Sequence, residues 1–331
     1  MLRLSVQCWQ HNRIYHRRGV TLLELAVVLV ILVTLTAILL PAILRTRAAA
    51  RKLQCSANLK QFALACHQFE VAHGTFPVNP CPRRADNLSN APPNVQIAPY
   101  LEVTQDNYYE RLGTDVMDVA RQSGDVTAKV LKCPEDPTAN KRASNYRVCW
   151  GILPNLPFEH QGIFDLGNQM LGVGRRPADV IDGLAHTSLA SERLIGKMVD
   201  GLPTHPGDIM IIDEGGYPQE YERCLAANAP PNKKLGLGPY DPRLNVPMFW
   251  NGECFYHSTY FHVFPPNYRL SDCMHSFADA LTSARSFHSS GVQVAFADGR
   301  VVFVSDQVAL QVWWAMSTRA GSEPDRWEGN Q

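Results

Sequence analysis

Charged residues are scarce in this 331-residue chain, and neither sign of charge is in excess. Asp, Glu, Lys and Arg make up 19% of the sequence, whereas an ordinary soluble domain has about 25%. The 31 basic residues equal the 31 acidic ones, so the formal net charge is zero. Because no net field attracts a polyanion, we expect no nucleic-acid partner bound through bulk charge.

The sequence also lacks the common catalytic motifs. It has no G-x-x-x-x-G-K phosphate loop, no G-x-S-x-G nucleophile elbow and no H-E-x-x-H zinc helix. No two cysteines have C-x-x-C spacing, which argues against a zinc ribbon or a thioredoxin-like site. His257 and His262 lie five residues apart on a predicted strand, so they face opposite sides. The sequence therefore predicts neither an enzyme nor a bound cofactor or metal.

One long apolar run stands out from this background. Leu25 to Leu44 contains twenty residues without a charge, enough for a helix to cross a bilayer of about 30 Å. A buried core helix would normally keep a polar stripe, and this run has none. The leader ahead of the run, residues 1–19, contains no acidic residue and four arginines, Arg3, Arg13, Arg17 and Arg18. A secretory signal peptide cleaved after Ala50 is the alternative, but the run is longer than the usual apolar region of about 7 to 15 residues.

The junction between the leader and the apolar run is more specific. The segment Arg17 to Glu24 reads RRGVTLLE and resembles a type IV prepilin leader, which a prepilin peptidase cuts after the glycine before the new N-terminal amine is methylated. The resemblance makes Gly19 the last leader residue and Val20 the first mature residue. It also implies an inner-membrane, single-pass location, with the C-terminal part periplasmic or at the cell surface.

Glu24 is the one acidic side chain at the start of the apolar segment. A carboxylate in hydrocarbon needs a partner or must stay near the lipid headgroups. Cleavage would free the amine of Val20 at the same depth, and in pilin-like assemblies the glutamate is thought to pair with this amine of a neighbouring subunit. The alternative is that Glu24 simply sits in the interfacial region.

The helical pattern continues beyond the apolar run as far as His73. An apolar stripe with spacings of three and four residues predicts a face that packs on a sheet or on another helix; it comprises Cys55, Leu59, Phe62, Cys66 and Phe69. Gly74 and Pro77 are suitable stop signals. We therefore divide the chain into a leader (1–19), a transmembrane and spine helix (20–75) and an extracytoplasmic globular domain (76–331).

The clearest strand signal lies near the C-terminus. Alternating residues from Val292 to Phe296, an Asp298-Gly299 pair and the run Val301 to Val304 predict a hairpin with a two-residue type I′ turn. The segment FHSSGVQVAFADGRVVFVSD, with nine residues between His288 and Asp298, resembles the C-terminal signature of a large bacterial family of prepilin-like proteins with a domain of unknown function. The segments LKCPEDP and DVIDGLAHTSLASERLIG also occur in the order expected for that family.

We assign His288, Asp298 and Gly299 structural roles. Asp298 and Gly299 would set the turn, with positive φ at both positions, and His288 would hydrogen-bond a neighbouring loop. Ten residues of straight strand span roughly 30 Å, so His288 and Asp298 would not share a metal. A metal or catalytic role for these residues is the alternative.

Cysteines and further strands complete the pattern. Of nine cysteines, Cys8 lies in the leader, so the mature chain keeps eight, which allow 105 pairings. An oxidising compartment would favour disulfides among them. Cys55 and Cys66 would alternatively fit the core as small hydrophobic residues. Short strands are predicted at 126–132, 145–152, 208–212 and 256–264.

Together these patterns predict an α+β, pilin-like fold, with a long N-terminal helix packed on an antiparallel sheet that carries long loops. The function predicted is a structural pseudopilin or minor-pilin-like subunit of a type II secretion or type IV pilus-like apparatus. Its partners would be a prepilin peptidase, other pilin-like subunits, inner-membrane assembly proteins and membrane lipid. The alternative is a monomeric membrane-anchored surface protein with a ligand-binding or hydrolytic site in its loops.

Overall fold

The computed structural model describes residues 21–78, 93–101, 129–137, 144–152, 161–164, 174–196, 207, 209–211, 223–224, 240–241, 246–247, 258–274 and 280–321. The chain divides into two compact units, Met1–Ala49 and Ala50–Gln331. The predicted α+β class is confirmed by a long N-terminal helix and a five-stranded sheet.

The first helix, α1, runs from Leu22 to His73 and so passes through both units. In the first unit, every residue of the helix is exposed. Among the described residues, α1 is the one helix long and apolar enough to cross a membrane, although a signal sequence would meet the same criterion. At its other end, the Gly74 N–H donates to Glu70 O and Gly74 has a φ of 78°, so a glycine ends the helix as predicted.

The second unit is built around the sheet. Besides the C-terminal part of α1, its described helices are α2 (Pro93–Gln96) and α3 (Leu310–Ala315), with short 3₁₀ helices at Ala98–Tyr100, Lys129–Leu131 and Pro177–Asp179. Its described strands are β1 (Tyr146–Gly151), β2 (Ser188–Glu192), β3 (Ile209–Ile211), β4 (Tyr240–Asp241), β5 (Val246–Pro247), β6 (Thr259–Phe261), β7 (Asp272–Met274), β8 (Ala280–Leu281), β9 (Gly291–Phe296) and β10 (Val301–Ser305). The main sheet has the order β10-β9-β2-β1-β6.

Helices cover both faces of the main sheet. The predicted stripe of α1 is buried and packs on one face, where Leu59, Phe62 and Cys66 join a core with Val148 of β1 and Ala295 of β9. Neighbouring strand residues point the other way, into a second core around Trp313 of α3. All six residues of β9 are buried, because this strand is paired on both edges and covered on both faces.

Two predictions about strands are wrong. The sheet is mixed rather than antiparallel, because β6 pairs with β1 in parallel; the direction of pairing depends on the connection between strands, which periodicity does not encode. At 129–131 the chain forms a 3₁₀ helix instead of a strand, since a short apolar run does not distinguish the two; 126–128 lies outside the described residues. The strands predicted near 146, 209 and 259 are present.

Candidate functional site

The predicted processing residues, Gly19 and Val20, lie outside the described residues. Glu24 is described, and it forms a reciprocal capping box with Thr21. The Thr21 N–H donates to Oε2 of Glu24 at 2.9 Å, and the Glu24 N–H donates to the hydroxyl of Thr21 at 3.2 Å. Glu24 thus has a local role at the start of α1 that the sequence analysis did not identify.

The tip of the β9–β10 hairpin contains Asp298 and Gly299. Phe296 and Arg300 bond across the tip, leaving three residues between them, and the Gly299 N–H donates to Phe296 O at 2.9 Å. Gly299 has a φ of 81°, whereas Asp298 does not have a positive φ. The prediction of a two-residue type I′ turn is therefore wrong: the loop has three residues with glycine in the left-handed position, the next most common hairpin connection.

Asp298 and Gly299 still fix this tip. Oδ1 of Asp298 accepts the Arg300 N–H at 2.9 Å, and the carbonyl oxygen of Gly299 accepts a hydrogen bond from the ammonium group of Lys60 on α1. The hairpin is thereby joined to the helix that covers its sheet. His288 and Asp298 are not brought together, because they lie beyond opposite ends of β9.

His288 lies just before β9 and faces the end of β2. Its Nε2 is 3.0 Å from Oε1 of Glu192, and both side chains are buried. We predicted a hydrogen bond to a neighbouring loop; the nearer partner is the last residue of a central strand, and a loop residue, Cys133, lies at 3.7 Å. Oε2 of Glu192 also accepts the backbone N–H of Gln293 at 2.8 Å, which fixes the carboxylate on β9.

A disulfide lies beside this pair. Cys55 of α1 is bonded to Cys133 of the loop after Leu131, and the sulfur of Cys133 is 3.7 Å from Nε2 of His288. The two sulfurs, the imidazole nitrogen and a carboxylate oxygen of Glu192 all lie within 4.8 Å of one another, and all four residues are buried. We call these four residues the sulfur–histidine cluster.

The loop that carries Cys133 is held by buried hydrogen bonds. Oδ1 of Asn145 accepts the Cys133 N–H at 3.0 Å, while Nδ2 of Asn145 donates to Oδ2 of Asp136 at 2.7 Å. That carboxylate oxygen also accepts the Ile195 N–H at 3.0 Å. The LKCPEDP segment is therefore positioned by the residues that flank β1 and β2.

Cys55 is positioned from the helix side. The hydroxyl of Tyr146 donates to the carbonyl oxygen of Cys55 at 3.1 Å, and burial, reinforced by the Glu192 carboxylate, raises the pKa of Tyr146 well above its ordinary value. Asn58, on the same face of α1, donates to Lys132 O at 2.6 Å. The helix is thus hydrogen-bonded to β1 through Tyr146 and to the Cys133 loop through Asn58.

A second buried polar group consists of Arg147, Asp272 and Arg285. Asp272 accepts from Nη1 of Arg147 at 2.8 Å and from Nε of Arg285 at 3.0 Å, and all three side chains are buried. Burial alone would raise the pKa of Asp272, but the two guanidinium groups outweigh this effect and hold its pKa below the ordinary value. This network joins β1, β7 and the segment after β8, so we assign it a structural role.

His262 is also buried, and it has a structural environment. Its ring stacks on that of Trp313 with centroids 3.6 Å apart, and Nε2 is 3.1 Å from the hydroxyl of Tyr260. Burial lowers the pKa of His262 to about 3, although the hydrogen bond with Trp313 O opposes this. His262 is therefore neutral at physiological pH, while His257 lies outside the described residues.

Sequence reasoning missed three members of the sulfur–histidine cluster. Cys55 is in a disulfide rather than a free core thiol, whereas Cys66 is free and buried as expected. Cys133 lies 78 residues from Cys55, so no spacing motif relates them. Glu192 is the last residue of β2, a strand that was not predicted from the sequence. A second disulfide joins Cys224 to Cys273, and Cys149 is free and buried. Cys8, Cys81 and Cys254 lie outside the described residues.

Comparison with known proteins identifies the family to which this chain belongs. No curated protein and no solved structure matches the chain significantly. One family model, described as a protein of unknown function (DUF1559), matches residues 45–311. This range begins after the apolar run and includes all four members of the sulfur–histidine cluster. A match over most of the chain establishes that this protein is a member of the DUF1559 family.

Proposed function

We propose that this protein is a membrane-anchored, pilin-like subunit of a type II secretion or type IV pilus-like apparatus, exported and cut after Gly19 by a prepilin peptidase. The observation that carries the proposal is the uncovered apolar surface of α1. Sixteen large apolar side chains between Leu22 and Leu44 are each at least 46% exposed. Full burial of one such side chain contributes about 1.5 to 3 kcal/mol, so sixteen together strongly favour a lipid or helix-lined environment over water.

The disulfides support an extracytoplasmic position for the second unit. Disulfides persist in oxidising compartments and are rare in the bacterial cytosol. Cys55 follows Leu44 by only eleven residues along α1, so the oxidised part of the chain begins soon after the apolar run. A helix that starts in the membrane and continues into an exported domain has this arrangement.

Glu24 supports assembly with neighbouring subunits. The capping box with Thr21 uses Oε2 of the carboxylate, and a carboxylate has about four lone-pair positions. Glu24 can therefore cap α1 and accept the amine of Val20 from another subunit at the same time. Capping alone does not require a full negative charge, because the carbonyl oxygen of a glutamine also accepts hydrogen bonds.

The mass of the native N-terminal peptide tests processing. We expect a mature chain that begins at a methylated Val20 and has 312 residues, since 19 of the 331 are removed. A Gly19→Val variant should keep its leader, because the resemblance places the cleavage directly after a glycine. A native terminus at Arg51 would show that the apolar run is part of a secretory signal and would overturn the proposal.

Cross-linking through the transmembrane segment tests assembly. With two cysteines introduced on opposite faces of the apolar run by Leu29→Cys and Ile38→Cys, each subunit can link to two neighbours. The wild-type background should then give ladders of cross-linked subunits. Both Glu24→Val and Glu24→Gln should be cleaved and inserted normally but give weaker ladders, because both remove the charge. If Glu24→Gln cross-links like the wild type, capping explains Glu24. A complete absence of ladders from all backgrounds would favour a monomeric anchored protein.

A further inference from the structure

We propose that the sulfur–histidine cluster is a zinc site in the reduced protein, so that Cys55, Cys133, Glu192 and His288 alternate between a disulfide-closed state and a Zn²⁺-bound state. The proposal concerns a buried site within a single subunit and does not depend on the assembly role proposed above.

The positions of the four side chains are close to those of a tetrahedral zinc site. Zinc binds thiolate sulfur at about 2.3 Å, and imidazole nitrogen and carboxylate oxygen at about 2.0 to 2.2 Å, which places the ligand atoms about 3.3 to 3.8 Å apart. Nε2 of His288 is 3.7 Å from the sulfur of Cys133 and 3.0 Å from Oε1 of Glu192. Two of the required separations are thus nearly present before any metal binds.

Two distances do not yet fit: the widest separation in the cluster, 4.8 Å, must close by about 1 Å, and the two sulfurs are too close because of the disulfide. The sulfurs of Cys55 and Cys133 are 2.08 Å apart because they are bonded, and zinc would need them about 3.8 Å apart. Their α-carbons are 4.8 Å apart, so rotation of the two side chains after reduction can separate the sulfurs. The disulfide and the metal therefore exclude each other.

The kind of ligand selects the metal. Two thiolates, an imidazole and a carboxylate suit Zn²⁺, whereas Ca²⁺ and Mg²⁺ prefer oxygen ligands alone. Four protein ligands leave no open position for water or substrate, which is typical of structural rather than catalytic zinc. Burial of all four residues agrees with a closed site.

Surrounding hydrogen bonds would hold these ligands in place. Gln293 donates to Oε2 of Glu192, which leaves Oε1 directed at His288. Asn145 fixes the backbone at Cys133, and Tyr146 fixes the carbonyl of Cys55. Partners of this kind orient ligands and strengthen metal binding in known sites.

Opening the site requires a two-electron reductant. A dithiol donor reduces the disulfide: its two sulfurs become a disulfide, the Cys55–Cys133 bond breaks, and each protein sulfur receives a proton. Zn²⁺ then displaces the two thiol protons and binds two thiolates, with neutral His288 and ionised Glu192 as the remaining ligands. Reoxidation of the thiolates by a disulfide oxidant reverses both steps and releases the metal.

Zinc content of the full chain in detergent tests the proposal. The protein is reduced with a phosphine, incubated with ZnCl₂, passed over a desalting column and analysed for zinc per chain, beside an oxidised sample. We expect reduction of the wild type to add one zinc that Cys55→Ser/Cys133→Ser and His288→Gln do not acquire. The matched variants Cys224→Ser/Cys273→Ser, which lacks the other described disulfide, and His73→Gln, at an exposed histidine, should still acquire it.

Cobalt substitution of the reduced wild type gives a second readout that does not depend on variants. Co²⁺ in this site should produce the strong visible bands of tetrahedral coordination together with thiolate charge-transfer absorption, and Zn²⁺ should abolish both. Circular dichroism establishes whether each variant is folded. The proposal is overturned if reduced wild type holds no more zinc than the Cys55→Ser/Cys133→Ser variant, or if Co²⁺ gives no tetrahedral thiolate spectrum.

Discussion

Nε2 of His288 lies 3.0 Å from Oε1 of Glu192 in the interior of the protein, where the two side chains are 2% and 1% exposed. The two residues are 96 positions apart in sequence, and each is held by a different part of the fold. A buried pair of this kind is costly to break, because the remaining partner loses its compensation without regaining water.

We therefore expect Glu192→Ala to lower the free energy of unfolding by about 3 to 5 kcal/mol. Glu192→Gln should cost less, since its amide oxygen can still accept the Gln293 N–H. Denaturant titration of the oxidised full chain in detergent measures both. Asp179→Asn is a suitable control, because the partner of Asp179, Arg176, is exposed and solvent screens such a pair. A Glu192→Ala variant as stable as this control would contradict the prediction.

At the hairpin tip, Gly299→Val should destabilise the protein by about 1 to 3 kcal/mol, since a β-branched residue is strained at positive φ. A side chain at this position would meet His67 at 3.4 Å, so the cost comes mainly from the backbone. Gly299→Asn should cost less than Gly299→Val, because asparagine tolerates this conformation. Thermal unfolding distinguishes the two; equal losses would indicate a steric rather than a conformational cause.

The structure reverses the order of the stability losses expected for His288→Ala and Gly299→Val. From the sequence alone, His288→Ala should cost less than Gly299→Val, because His288 is expected to contact only a loop. The buried pair with Glu192 reverses this order, since His288→Ala leaves a carboxylate without its partner.

The Arg147–Asp272–Arg285 network gives a third prediction. Asp272→Asn removes the carboxylate charge that these two buried guanidinium groups share, so we expect a loss of about 3 to 5 kcal/mol. The pKa of Asp272 is lower in the folded protein, so its contribution is present above the unfolded pKa and is lost as the pH falls through the folded value. Chemical denaturation at pH 7 measures the loss. A loss below about 1 kcal/mol, as for an exposed pair, would contradict the assignment.

His262 also makes stability depend on pH, but because burial keeps it neutral rather than charged. Its pKa is about 3 when folded and 6.5 when unfolded, so between these values the unfolded chain binds a proton that the folded protein does not. Stability should fall as the pH is lowered below 6.5, by about 1.4 kcal/mol per pH unit from this residue. The slope of unfolding free energy between pH 6.5 and 4.5 should be smaller in His262→Phe, which keeps a ring to stack on Trp313. Identical slopes would show that His262 does not remain neutral in the folded state.

Much of the helical architecture can be predicted because its signals are local. The apolar run, the stripe from Cys55 to Phe69 and the stop at Gly74 lie within one continuous segment, and α1 forms as they indicate. The β9–β10 hairpin is local as well, and only its turn type differs. The turn is decided by a single residue, since Phe296 and Arg300 pair and leave Ala297 inside the loop.

The sulfur–histidine cluster could not be predicted in this way. Its members come from α1, a loop, the end of β2 and the segment before β9, and no periodicity relates such distant positions. His288 was singled out from the sequence, but its partner was not. A buried glutamate is costly unless it is paired, yet the burial of Glu192 becomes evident only when β2 lies at the centre of the sheet.

The sequence by itself determined the long apolar helix, the α+β class, the C-terminal hairpin and the absence of net charge, because each depends on composition or on residues close together in the chain. Only the tertiary structure decided the parallel pairing of β6, the choice of Cys133 as the partner of Cys55, and the meeting of Glu192 with His288. These features depend on which segments approach one another when the two faces of the sheet are covered, and that is settled by packing of the whole core rather than by any single segment.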